Sequence, residues 1–63
     1  MLEYKGYVIV QTDEDGFHDI VAYQNGRFAF QACTDSHLED DKLKNTVDYL
    51  LNFFKNNQKK QIV

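Results

Sequence analysis

Few residues in this chain have the chemistry to act on a substrate. They are one thiol (Cys33), two imidazoles (His18 and His37), a hydroxyl beside an imidazole in Ser36-His37, and two groups of carboxylates. A thiol next to a histidine can be held as thiolate and become a nucleophile. The strand register derived below sets Cys33 across from His18, but no third group orients the imidazole and no oxyanion site accompanies it. Ser36 and His37 are consecutive, whereas a nucleophile and its base must converge on a pocket. Asp13 and Asp15 before Gly16 supply oxygens as a calcium loop does, yet the chain does not continue as such a loop would. No zinc-type Cys/His spacing and no phosphate-binding glycine motif is present. The expectation is a protein without catalytic residues, cofactor, metal or small-molecule substrate.

The chain that must position these groups has 63 residues, of which 43% are hydrophobic and 14% aromatic. That content supports a folded core rather than disorder. A chain this short buries only about 60% of the surface it exposes when unfolded, and one such core rarely supplies more than about 3–5 kcal/mol. Cys33 is the only cysteine, so no disulfide forms within the chain. Self-association is the stabilising device left open. No apolar run approaches the roughly 20 residues that span a bilayer, and Met1-Leu2-Glu3-Tyr4-Lys5 lacks the basic and apolar regions of a signal peptide. A cytoplasmic protein with a reduced thiol is expected, without membrane contact. The net charge of −3 argues against nonspecific nucleic-acid binding, where clustered Lys and Arg supply the affinity.

Turn residues punctuate the first half. Asn25-Gly26 lies between two runs of strand formers, and both residues tolerate the positive φ of a type I′ hairpin turn. Asp13-Glu14-Asp15-Gly16 is a similar, weaker signal. Strands are predicted at about 3–12, 17–24 and 27–34. A two-residue turn at Asn25-Gly26 sets Gln24 opposite Arg27, Tyr23 opposite Phe28 and Val21 opposite Phe30. Side chains alternate across a sheet, so Phe17, Val21, Tyr23, Phe28, Phe30 and Ala32 share one face, joined by Val8 and Val10. This face is read as the core, and a one-residue bulge would overturn part of it. Asp19 then falls on the core face between Val10 and Ala32, where it needs backbone N–H partners around residues 36–39. A bulge near 18–19 is the alternative.

From about residue 39 the period changes. Leu43, Val47, Leu50, Leu51 and Phe54 form a helical stripe. Ser36 with Glu39 fits a capping box, while Leu38 and Leu43 fit a hydrophobic staple around an N-cap at Glu39. Acidic residues at the start (Glu39, Asp40, Asp41) and lysines at the end (Lys55, Lys59, Lys60) suit the helix dipole. The predicted fold is α+β: a two-layer β-β-β-α domain over residues 1–60, with a three-stranded antiparallel meander packed on one C-terminal helix and a frayed tail at 61–63.

The β-β-β-α order resembles the second part of double-stranded-RNA-binding domains and the arm-binding domains of some phage-type integrases. Those families place basic residues on the sheet or at the start of the final helix, so the resemblance implies nucleic-acid binding. Here Glu39, Asp40 and Asp41 precede Lys42 and Lys44, and a double-stranded-RNA reader would lack its first helix. A short Asn- and Lys-rich chain led by a hairpin also resembles accessory proteins of phages and prophages.

Two surfaces are left over once this core is built. The first is apolar: Tyr7, Ile9 and Ile20 on the sheet's far face, and Tyr49 and Phe53 beside the helix stripe. Tyr49 and Phe53 either wrap the edge of the small sheet or meet a partner. The second is acidic: Asp13, Glu14, Asp15, Asp35, Glu39, Asp40 and Asp41 gather at one pole and hold seven of the ten carboxylates. These expectations define three functions. The first is a small interaction protein that forms a homodimer or binds another protein through the apolar surface. The second is an acidic decoy occupying a nucleic-acid-binding site on another protein. The third is weak nucleic-acid binding through Lys5, Arg27, Lys55, Lys59 and Lys60.

Overall fold

Three X-Gly pairs, ten residues apart, turn the chain back on itself. In a computed structural model, which describes the backbone of residues 1–61 and side chains through Asn56, Lys5, Asp15 and Asn25 have φ of 52°, 53° and 54°, and the glycine after each also has positive φ. Positive φ at both central residues is the type I′ pattern, whose twist matches that of the flanking strands. Four strands result: β1 (Leu2–Tyr4), β2 (Tyr7–Glu14), β3 (Phe17–Gln24) and β4 (Arg27–Thr34). They form one antiparallel sheet in the order β1-β2-β3-β4, covered on one face by helix α1 (Asp40–Gln61).

The α+β, two-layer architecture is as the sequence predicts, with one more strand. The single strand expected over about 3–12 is divided at Lys5-Gly6, where a lysine adopts the left-handed conformation that Asn or Gly usually supplies. Glu39 is the N-cap, since its carbonyl accepts the first helical N–H, from Leu43, at 2.8 Å. That places Leu38 and Leu43 in the staple positions, and both contribute to the core. The expected tail at 61–63 lies, beyond its first residue, outside the described residues.

The inner and outer faces of β2 and β3 are reversed from the expectation, while Phe30 and Ala32 of β4 lie on the core face as expected. The pairs Gln24↔Arg27 and Tyr23↔Phe28 form as the turn dictates, but the next pair is Ala22↔Phe30. Ala29 has no partner, and the strand bulges there. The extra residue puts Phe28 and Phe30 on opposite faces, so Phe28 is 62% exposed while Phe30 is 8% exposed. Val21 consequently faces Gln31 rather than Phe30.

The core is Ile9, Ile20, Ala22 and Phe30 from the sheet, against Leu43 and Val47 from the helix. Leu2, Tyr4, Tyr7, Ala32, Leu50, Leu51 and Phe54 pack around it. Val8, Val10, Val21 and Tyr23, expected inside with Phe28, alternate onto the face away from the helix. Strand β1 tips the balance, because its pairs Leu2↔Ile9 and Tyr4↔Tyr7 add two large side chains to the Ile9 face.

Candidate interaction surface

The helix is seated by two polar clamps. At one end the Gln11 amide grips the connector before α1: its Nε2–H₂ donates to the Leu38 carbonyl at 2.7 Å, and its Oε1 accepts from the Leu38 N–H at 2.9 Å. This is the backbone contact that Asp19 was expected to make. Beside it, Asp13 takes one hydrogen bond from each histidine, His18 Nδ1–H to Oδ1 and His37 Nδ1–H to Oδ2, both 2.7 Å. A carboxylate only accepts, so Nδ1 of each imidazole is the donor. The two donors, His18 first, hold the Asp13 carboxyl below the usual range. Asp13 thus ties β2, β3 and the connector together, a structural use of a residue expected to face a partner.

At the other end, the Tyr4 hydroxyl donates to both oxygens of Asp48, and Lys5 Nζ lies 2.6 Å from Oδ1. Lys5, then Tyr4, draw the Asp48 carboxyl down, while Asp48 raises both the Tyr4 and Lys5 values. The ion pair explains why a lysine sits in the first turn. It also commits one member of the expected basic pole to the fold. The side chains of Lys59 and Lys60 lie outside the described residues.

Cys33 and His18, cross-strand neighbours in the register expected from the turn, are not paired. Cys33 pairs with Asp19, and His18 with Thr34, because the bulge shifts β4 by one residue. Asp19 is half-buried on the outer face. It raises the Cys33 thiol by hydrogen bonding and by its charge, which is opposite to the activation a nucleophile needs. Among the described residues no three His, Cys, Asp or Glu side chains are grouped as metal ligands. No helix among them is long and apolar enough to cross a membrane.

The apolar candidates divide. Ile9 and Ile20 are fully buried beneath the helix, and Tyr7 packs edge-on against Phe30 at 5.7 Å between ring centroids. None of the three belongs to a free surface, because α1 covers their face of the sheet, to which β1 adds Leu2 and Tyr4. Tyr49 and Phe53 do remain outside, 69% and 47% exposed, with their rings stacked at 6.5 Å. The remaining acidic candidates (Glu14, Asp15, Asp35, Glu39, Asp40, Asp41) are all exposed, around the second turn and the start of α1.

The surface that sequence reasoning missed is the outer sheet face. Val8 faces Tyr23, which faces Phe28, and Val10 faces Val21. Five apolar side chains thereby cover three adjacent strands, with no element over them among the described residues. Lys5-Gly6 was the available signal: read as a turn, it adds Leu2 and Tyr4 to the Ile9 face and identifies that face as the core. Comparison of the chain with protein-family models, with curated proteins and with solved structures gives no match.

Proposed function

We propose that this chain is a non-enzymatic interaction module that binds protein through the uncovered face of its sheet. The observation that carries this reading is the contiguous patch of Val8, Val10, Val21, Tyr23 and Phe28, left outside a core that closes without it. A sheet with one solvated face ordinarily alternates toward polar residues there, and an apolar patch on a small domain marks a contact surface. The single unpaired thiol suits a reducing cytoplasm as its place of work.

The test is a residue-resolved one. Amide spectra of the labelled protein, recorded over a concentration series and in cell extract, are expected to broaden or shift at these five positions. A Val10→Thr/Val21→Thr/Tyr23→Thr variant keeps strand-forming residues and the helix-side core, and should lose that response. Spectra unchanged by concentration and by extract would refute the reading.

The acidic pole supports a second reading, a phage- or prophage-type decoy for a basic nucleic-acid site. Six exposed carboxylates around the second turn and the helix start favour it, since complementary fields speed association. An Asp40→Lys/Asp41→Lys variant that captures the same partners as the wild type would count against it.

A further inference from the structure

The two edges of the sheet are unlike. β1 is three residues long, bears Glu3, and leads into Lys5. β4 is eight residues long and contains no proline and one charge, Arg27, at its start. It is the last strand of the sheet, so its far side has no paired strand among the described residues. Edge strands are usually shielded by brevity, lysine, proline or a covering segment. β4 has only the bulge at Ala29, near one end, which leaves Phe30–Thr34 regular.

The helix leaves an apolar margin on the same side. Asp48 and Lys44 reach Tyr4 of β1. At 100° per residue, Tyr49 and Phe53 lie on the opposite flank of α1, toward β4. Their exposed, stacked rings therefore border the open edge.

We propose that β4 pairs antiparallel with β4 of a second copy about a twofold axis through Gln31, joining the two sheets into one. This goes beyond the proposed function, because it uses the open edge of the sheet rather than its uncovered face. Three features select this occupant and register. With the axis at Gln31, Phe30 meets Ala32 and Cys33 falls beside the bulged Ala29, so no like charges face one another. Two amide side chains meet on the axis, each both donor and acceptor. At each end Arg27 of one copy reaches Asp35 of the other, its long side chain spanning the offset of the bulge; an axis at Phe30 or Ala32 loses this match. Antiparallel pairing also sets the acidic pole of one copy beside Arg27 of the other. Because the axis stands perpendicular to the sheet, both helices lie on one face, with Tyr49 and Phe53 of the two copies flanking the new strand pair. Such isologous contact is the commonest closed form.

The test is sedimentation equilibrium of the full chain from micromolar to millimolar concentration, with Arg27→Asp, Asp35→Arg and the double exchange. The wild type is expected to dimerise, each single reversal to weaken the dimer roughly tenfold, and the double exchange to recover it within about threefold. Amides of Gln31 and Cys33, which alternate away from β3 toward the open edge, should exchange more slowly as concentration rises. A monomer throughout, or a dimer indifferent to both reversals, overturns the edge pairing. Association that ignores the reversals but vanishes in the Val10→Thr/Val21→Thr/Tyr23→Thr variant overturns the pairing while leaving the interaction role intact.

Discussion

The Tyr4 hydroxyl meets both carboxylate oxygens of Asp48, at 3.1 and 2.9 Å, across a separation of 44 residues. It is the contact that fastens the middle of α1 to the first hairpin, and Lys5 closes the cluster at 2.6 Å. Tyr4→Phe removes the donor and keeps the ring against the core. The expected result is a lower urea midpoint with an unchanged slope, and native sheet signals throughout. Asp48→Asn should do more, because it also leaves Lys5 without its counter-charge. Equal midpoints for Tyr4→Phe and wild type would show that the contact adds nothing to stability.

Asp13 and Asp48 give stability a defined acid limb. Both carboxyls are held below their ordinary value in the folded chain. The unfolded chain therefore binds more protons between the two values, and stability rises with pH there. Their contribution is complete above the unfolded value of about 3.9 and fades as pH falls through the lowered folded values. Urea midpoints measured from neutral pH downward should drop in this window. Asp13→Asn/Asp48→Asn should flatten the drop while lowering the plateau. Lys5 acts at the other extreme: its raised value means that its contribution holds below the unfolded lysine range and is lost as pH rises through the folded one.

Adjacent residues on β3 test which face is inside. Ile20 is fully buried and Val21 points away from the helix. Ile20→Ala is expected to cost about 2–5 kcal/mol, enough to unfold most of a domain whose core supplies about 3–5 kcal/mol. Val21→Thr should stay within about 0.5 kcal/mol of wild type, as a surface change does. Thermal melts of the two variants decide the matter, and a reversed order would place the core on the other face.

Ala29 makes a sharper prediction, because it alone is unpaired in β4. Removing it leaves Tyr23↔Phe28 and Ala22↔Phe30 as consecutive regular pairs. The shortened chain should fold, with amide shifts changed only along β3 and β4. Deleting Gln31 instead would turn Ala32 outward and Cys33 toward the helix, and that chain should fail to fold. Failure of both deletions would mean that the bulge itself is required.

The turn at Asn25-Gly26, the pairs next to it and the helix stripe were legible because each follows from residues close in sequence. The inner face was not, and the reason lies in β4. Phe28-Ala29-Phe30 offers two aromatics at the spacing of one strand face, and nothing local distinguishes a regular strand from one with Ala29 bulged out. Alternation does not decide either, since Ile9, Ile20 and Ala22 on one side match Val8, Val10 and Val21 on the other. Of the candidate site, Tyr49 and Phe53 follow from the helical period alone and remain exposed, whereas the sheet residues had to be exchanged for those opposite. The His18–Asp13–His37 bridge was beyond reach, because it depends on where the connector crosses the sheet.

The even spacing of the three turns has a kinetic corollary. Each strand pairs only with the strand next to it in sequence, so every hairpin can close on the scale of about 1–10 μs without waiting for distant chain. Hairpin closure of this kind can run ahead of the docking of α1, whose contact from Asp48 to Tyr4 spans 44 residues. During that interval the sheet is bare on both sides, and arrival of the helix lends it a direction: Ile9 and Ile20 are withdrawn from water, and the valines opposite become the surface the cell meets.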